Sequence, residues 1–169
     1  MKNRIVAVGA VALVAVSATA GAVPTNSNFN VTATVAKNCL VSSGDIAFGT
    51  YTPTTGALTG SSTVAVRCTA GTGFTVALSA GQEASYAPRK LKDAGNNKLE
   101  YNLYTANTYT TVWGDASGAT ATQSGTGAGM GVPQAQSLTV YGQLPDNAAN
   151  QVAPPSATYT DNIIVTVTY

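Results

Sequence analysis

Apolar and polar side chains alternate along several short stretches of this chain. The first stretch covers residues 29–35, and its apolar positions are Phe29, Val31, Ala33 and Val35. The closing residues, DNIIVTVTY, alternate in the same way. Successive side chains of a β-strand point to opposite faces of its sheet, so this pattern is typical of strands with one buried face.

The middle of the chain repeats the pattern. Short alternating or apolar runs occur at residues 46–48, 64–68, 74–78, 99–103, 109–113 and 137–144. The turn residues DAGNN at 93–97 predict a hairpin over residues 89–104. About seven or eight short strands joined by turns predict an all-β chain folded as a β-sandwich.

Two stretches interrupt the predicted strands. Residues 114–133 are rich in Gly, Ser and Thr and predict a long flexible loop. Residues 145–157 are rich in Pro, Asn and Ala and predict irregular structure. No long stretch of the sequence has the periodicity of an amphipathic helix.

The first residues have the pattern of a secretory signal peptide. Lys2 and Arg4 precede an apolar run at residues 5–16, and small residues offer cleavage after Ala20 or Ala22. The run is too short for a membrane-spanning helix, which needs about 20 residues. We therefore predict that residues 1–20 are a signal peptide and that the chain is exported.

Charge is scarce in this sequence. Charged residues make up 9% of it, against roughly 25% in an ordinary soluble domain. Loss of Lys2 and Arg4 with the signal peptide leaves 6 basic residues against 7 acidic ones. A chain with this balance has no electrostatic attraction for nucleic acid or for an anionic membrane.

The two cysteines, Cys39 and Cys68, predict one disulfide bond, because an even pair in an exported chain is typically bridged. Such a bridge stabilises a fold by about 3–4 kcal/mol on the chain-entropy model. The sequence contains no histidine, which argues against a metal site and excludes triads that need one. The acidic residues are scattered singly. We therefore expect no catalytic residues, no metal and no cofactor, and a protein that is not an enzyme.

Two other groups of residues have alternative interpretations. The run 89–92, Arg-Lys-Leu-Lys, is either a binding patch or, more simply, a solvated strand or turn. The aromatic residues near it either form a carbohydrate-stacking platform or pack in the core, and they are Tyr101, Tyr104, Tyr109 and Trp113.

Four segments together resemble the spore coat protein U domain family, which includes subunits of the archaic chaperone–usher pili. They are Phe29–Cys39, Leu99–Asp115, Ser137–Pro145 and Tyr159–Tyr169. The resemblance implies an immunoglobulin-like β-sandwich that is incomplete because it lacks its last strand. It also implies donor-strand complementation, in which a chaperone and then the leading strand of a neighbouring subunit fills the gap.

The resemblance divides the mature chain into a donor segment, residues 21–36, and a pilin domain, residues 37–169. The donor side chains would be Val23, Phe29, Val31, Ala33 and Val35. The acceptor groove and chaperone-contacting strand would include Ile163, Val165, Val167 and Tyr169. The alternation at 29–35 is also compatible with an ordinary first strand of the chain's own sandwich.

The predicted function is that of a structural subunit of a surface pilus, with a role in attachment or biofilm formation by analogy with the family. Its partners would be a periplasmic chaperone, an outer-membrane usher and neighbouring copies or related subunits, and nucleic acid is not among them. The alternatives are a secreted coat or matrix protein and a single-domain adhesin.

Overall fold

The computed structural model describes residues 21–156 and 158–169, so the predicted signal peptide lies outside the described residues. The strands are β1 Cys39–Ser43, β2 Leu58–Cys68, β3 Gly73–Leu78, β4 Arg89–Lys92, β5 Lys98–Tyr104, β6 Gln123–Thr126, β7 Gln136–Leu144 and β8 Val165–Thr168. Two short helices, the 3₁₀-helix Val132–Gln134 and α1 Ala148–Gln151, complete the described elements. None of the helices among the described residues has the length and apolar character needed to cross a membrane.

The strands form two antiparallel sheets within residues 35–169. The larger sheet has the order β1-β2-β7-β5-β4, and the smaller one has the order β6-β3-β8. The two sheets enclose a shared apolar core, as expected for the all-β, immunoglobulin-like sandwich. The predicted hairpin at 89–104 is confirmed as β4 and β5.

The core comes from the alternating positions that the sequence indicated. Its side chains lie on the inner faces of β2, β3, β5 and β7, and they include Val64, Val66, Phe74, Val76, Leu78, Leu103 and Val140. Burial of each larger apolar side chain contributes about 1.5–3 kcal/mol. The strands therefore form because each places one apolar face against the opposite sheet.

The predicted disulfide bond joins Cys39 at the start of β1 to Cys68 at the end of β2. The two residues face each other in the β1–β2 register. Cys68 is buried in the core, so the bridge fastens the first strand of the sandwich to an inner strand.

Residues 21–34 form a separate unit that contains neither strand nor helix. Val23, Phe29, Val31 and Val35 are 81–85% exposed, and Ala33 is exposed as well. The interpretation of residues 29–35 as an ordinary first strand of the chain's own sandwich is therefore wrong for this structure. A strand needs a hydrogen-bonding neighbour, and this segment has none among the described residues.

The predicted loop at 114–133 is partly wrong, because β6 lies within it and pairs with β3. β6 has no apolar side chain that could have produced a strand pattern. Its Gly125 is opposite Phe74, and a Cβ atom at Gly125 would lie 2.5 Å from the ring atom Cζ of Phe74. The glycine therefore permits the pairing by leaving room for the aromatic ring.

Three smaller expectations also differ from the structure. Residues 109–113 contain only isolated bridges of Val112 and Trp113, and residues 46–48 pair with no strand among the described residues. The irregular stretch at 145–157 contains the helix α1, whose first turn is capped by the side chain of Asn147.

Candidate functional site: the groove between β1 and β8

β1 and β8 are edge strands of different sheets. In the described part of the chain, β1 pairs only with β2 and β8 pairs only with β3. Each strand therefore leaves one row of backbone N–H and C=O groups without a strand neighbour. Such edges can accept a further strand, so this pair of edges is the first place to look for a partner.

The two edges converge at one end. Cys39 begins β1 and is bonded to Cys68, and β3 starts shortly after Cys68, at Gly73. Thr168 ends β8 and pairs with Thr75, near the start of β3. The start of β1 and the end of β8 therefore lie at the same end of the sandwich, which is called the disulfide end below.

A groove of about 310 Å³ opens away from the disulfide end. Its walls are residues 43–48, which follow β1, and residues 159–165, which lead into β8. Its floor is formed by apolar core residues, namely Val64, Leu78, Leu91, Leu103 and Val140. An open cleft that reaches the core of a sandwich is suited to receive apolar side chains.

The structure places the predicted acceptor residues at different depths. Ile163 and Val165 line the groove, whereas Val167 is half-buried against the core nearer the disulfide end. Tyr169 lies beyond β8 and is 54% exposed. Ile164, between the two lining residues, points outward, as the alternation requires.

Sequence reasoning missed the opposite wall. Ile46 and Phe48 line the groove and pack over two glycines that are paired in the β2–β7 register, Gly60 and Gly142. A Cβ atom at Gly60 would lie 2.9 Å from Cγ2 of Ile46, and one at Gly142 would lie 3.0 Å from Cζ of Phe48. The Phe48 ring also meets Tyr101 edge-on, with 6.0 Å between centroids. The sequence shows a glycine in each of the two strands. Only the register, which pairs Gly60 with Gly142, shows that the two glycines make room for one groove wall.

The groove also carries a fixed negative charge. The hydroxyl of Tyr101 donates to Oδ2 of Asp161 at 2.6 Å, and the backbone N–H groups of Gln82 and Asn162 donate to Oδ1 at 2.8 and 2.7 Å. Burial, reinforced by this bond to Asp161, raises the pKa of Tyr101 well above its usual range. Tyr101 therefore stays a neutral donor that holds the Asp161 carboxylate in place.

A family model for the spore coat protein U domain matches residues 25–166. This chain belongs to the spore coat protein U domain family. It is similar to Protein U of Myxococcus xanthus, with 31% identity over an alignment of 189 residues that covers 100% of this chain and 98% of that protein.

A solved structure shares the fold of this spore coat protein U domain. It is the crystal structure of the CsuC–CsuE chaperone–tip adhesion subunit pre-assembly complex from the archaic chaperone–usher Csu pili of Acinetobacter baumannii. The TM-score is 0.54 at 23% identity, and the match covers 80% of this chain but only 41% of that chain. At this level of identity the likeness supports the fold.

The basic run 89–92 is neither a solvated strand throughout nor a binding patch centred on Arg89. Arg89 is 0% exposed. Its Nη2 donates to the carbonyl oxygens of Ser79 and Trp113 at 2.8 and 2.7 Å, and its Nη1 donates to Oδ1 of Asn102 at 2.7 Å. Burial lowers the pKa of Arg89. The expected strand is present as β4, but its expected solvation is wrong for Arg89, because carbonyl oxygens that a sequence pattern does not show satisfy this cation.

Two of the four aromatic residues considered as a sugar platform, Tyr101 and Trp113, are buried in this spore coat protein U domain, and Tyr104 and Tyr109 are half-buried. Trp113 is 0% exposed, and its Nε1 donates to the carbonyl oxygen of Val76 at 3.0 Å. Tyr101 is buried, and Tyr104 meets Tyr109 edge-on. Trp113 thus has no free face on which a sugar ring could stack, so the interpretation as core aromatics fits better than a carbohydrate platform.

Proposed function

We propose that this chain is a structural subunit of a surface pilus or fibre, assembled by the chaperone–usher pathway through donor-strand exchange. The groove between β1 and β8 receives the leading segment of a neighbouring copy or a related subunit. Before assembly, a periplasmic chaperone occupies the same groove, and an outer-membrane usher exchanges the chaperone for the next subunit.

One observation carries the proposal: the chain has an open apolar groove and also an exposed apolar segment with strand periodicity. Phe29, Val31, Ala33 and Val35 are all exposed to solvent, and in an extended strand they would lie on one face. Core residues such as Val64 and Leu103 line the groove between the two edge strands. A segment of this kind from another copy would cover the core and pair with both edges.

The energetics favour a durable junction. Each larger apolar side chain that enters the groove contributes about 1.5–3 kcal/mol, and the donor segment has Phe29, Val31 and Val35 to contribute. Backbone hydrogen bonds to β1 and β8 add specificity for an extended peptide. Such a contact is suited to a structural fibre, in which subunits should separate slowly.

The similar structure supports the assignment of a chaperone as a partner, because it is a complex of a chaperone with a pilus tip adhesion subunit. The usher, the fibre on the cell surface and a role in attachment or biofilm formation follow from the same pathway. Export through the periplasm is part of this proposal, and it depends on the predicted signal peptide at residues 1–20.

Deletion of residues 23–31 tests the proposal. The shortened chain keeps its groove, so it should still form a complex with its chaperone, but it should not join into fibres on co-expression with the usher. A matched control replaces Asn30 and Thr32, which alternate with the apolar side chains, by Ser, and this variant should polymerise normally. Fibres of normal length from the deleted chain would refute donor-strand exchange through this segment.

A second candidate is a secreted coat or matrix protein that covers cells without an usher. It is supported by the 31% identity with Protein U over the whole chain and by the description of the family as a spore coat domain. Chaperone and usher genes next to the gene of this protein would favour the pilus. Coating of cells that lack any usher would favour the second candidate.

A further inference from the structure

The groove has a direction that an incoming segment must follow. β1 and β8 converge at the disulfide end, and the groove is open at the other end, between residues 43–48 and 159–163. A donor segment remains attached to its own domain, so the attached end stays outside the open end. Its amino end then lies towards the disulfide end, and the segment runs antiparallel to β8.

Lys37 is in phase with the apolar side chains of the donor segment. Those side chains occupy the odd positions 29, 31, 33 and 35, and Lys37 occupies the next one. Side chains of an extended chain alternate between two faces, so in an inserted donor segment Lys37 would share the face of these apolar side chains, which faces the groove. It is also the single charged residue between positions 21 and 38.

The backbone on either side of Lys37 is fastened to its own domain. Oγ1 of Thr69 donates to the carbonyl oxygen of Ala36 at 3.3 Å and accepts from the N–H of Asn38 at 3.1 Å. The N–H of Thr69 donates to the carbonyl oxygen of Asn38 at 2.9 Å. Lys37 thus marks the point at which the donor segment leaves its domain, while its own side chain is exposed.

The open end of the groove is acidic. Among the described residues that line the groove, the charged side chains are Asp45 and Asp161. Asp161 is held by Tyr101, whereas Asp45 is exposed and accepts no hydrogen bond from the described residues. Lys92 of β4 bridges to Thr160 of the groove wall through its backbone, and its ammonium group is paired with Glu83 at 3.1 Å. Asp45 is therefore free to meet a cation from a second copy.

Building on the proposed function, we infer that Lys37 of one copy pairs with Asp45 at the open end of the next copy's groove and sets the register of the inserted segment. Deeper insertion by two residues would place the ammonium group among apolar lining residues such as Ile163, which carries a desolvation cost. Shallower insertion by two residues would leave one apolar position of the segment in water. The Lys37–Asp45 ion pair therefore limits how far the segment inserts, and the negative charge of Asp161 in the same groove adds to the attraction for the lysine.

Charge reversal in the full chain tests this inference. Fibres are assembled from chains that carry Lys37→Glu, Asp45→Lys or both, and the rate at which each fibre dissociates in urea is measured. Each single variant should dissociate faster than the original by about two- to fivefold, the range for an exposed ion pair. The double variant restores opposite charges and should dissociate at nearly the original rate.

A second variant separates register from net charge. Exchange of the neighbouring residues, Ala36→Lys with Lys37→Ala, keeps the composition but turns the ammonium group to the opposite face of the segment. We expect it to weaken the junction as much as Lys37→Glu does. Thermal unfolding of the monomers should be unchanged in all variants, because Ala36, Lys37 and Asp45 have exposed side chains.

The outcomes distinguish this inference from the proposed function. If the original chain forms fibres and the single variants dissociate at the original rate, or the double variant fails to recover, the Lys37–Asp45 pair is wrong although donor-strand exchange stands. If the exchanged variant matches the original, the register argument is wrong. If the original chain forms no fibres with its chaperone and usher, the proposed function itself fails.

Discussion

The guanidinium group of Arg89 lies inside the domain and is held by neutral oxygen atoms. It donates to carbonyl oxygens of Ser79 and Trp113 and to the amide oxygen of Asn102, and it lies 4.9 Å from the centre of the Tyr86 ring. A buried cation is tolerated when its donors are satisfied in this way. The residue thus ties the loop after β3, the loop around Trp113 and the strand β5 together.

Replacement of Arg89 should be strongly destabilising. Arg89→Met leaves the carbonyl oxygens of Ser79 and Trp113 without their side-chain donor, and we expect a loss of about 2–4 kcal/mol in the free energy of unfolding. Lys90→Met on the same strand is the control and should change stability by no more than about 0.5 kcal/mol. The midpoint of urea unfolding measures both. Equal midpoints for the two variants would contradict the bonding described for Arg89.

The carboxylate of Asp146 predicts how stability depends on acid. It accepts from the Tyr51 hydroxyl at 2.6 Å, from the N–H of Gly56 at 2.9 Å and from the side-chain amide of Gln151 at 3.0 Å. These bonds, that of Tyr51 first, lower the pKa of Asp146 to about 2. Burial and the same carboxylate raise the pKa of Tyr51 to about 12.

The sign of the effect follows from the lowered pKa. An unfolded Asp titrates near pH ~3.9, so the stabilisation by Asp146 is fully present above that pH and is lost as pH falls towards about 2. The melting temperature of the Asp146→Asn variant should therefore fall less between about pH 4 and about pH 2 than that of the original chain. Asp45→Asn, at an exposed position without such bonds, is the control. Parallel melting curves for the original and Asp146→Asn would contradict the prediction.

At the scale of elements, the paired glycines of β2 and β7 shape one wall of the groove. Gly60 and Gly142 are opposite each other in register and leave space for Ile46 and Phe48. The segment 44–48 can therefore lie close to the inner face of the larger sheet although it forms no strand of its own.

A larger side chain at Gly142 should displace the groove wall that contains Phe48. Gly142→Val places methyl groups where the Phe48 ring lies, and overpacking of this kind costs about 1–3 kcal/mol. Phe48→Ala in the same chain should recover part of that loss, because it removes the ring that clashes. Gly73→Ala on β3, where a Cβ atom meets nothing within 4 Å, is the matched control. Urea unfolding gives the comparison, and additive losses in the double variant would show that Gly142 and Phe48 do not contact each other.

The strands that the sequence predicted correctly are those whose alternating apolar side chains face the core. β3, β7 and the hairpin of β4 and β5 appear where the pattern placed them, and β8 occupies the end of DNIIVTVTY. β6 was missed because Gln-Ser-Gly-Thr presents no apolar face, and its pairing depends on the ring of Phe74. A local pattern of apolar residues indicates which side chains are buried. A strand such as β6, which forms because it pairs with a strand distant in sequence, therefore has no such pattern.

At the scale of the whole molecule, the groove could be predicted only in part. The family resemblance implied a groove wall that includes Ile163 and Val165, and both residues line the groove. The other wall, with Ile46 and Phe48, results from contacts with Gly60 and Gly142 that are distant in sequence. The partner of the exposed segment is a different molecule, so no pattern within one chain distinguishes a donor strand from a first strand without the family resemblance.

The bridge between Cys39 and Cys68 has a mechanical consequence. Traction on the leading segment of an assembled subunit arrives at Cys39, the first residue of an edge strand that could otherwise peel away one backbone bond at a time. The covalent link passes that load directly to β2, which pairs with both β1 and β7 and contributes Val64, Val66 and Cys68 to the core. Pulling on a fibre would thus load the core-forming strands of each subunit together instead of separating the edge strand β1 from its sheet first.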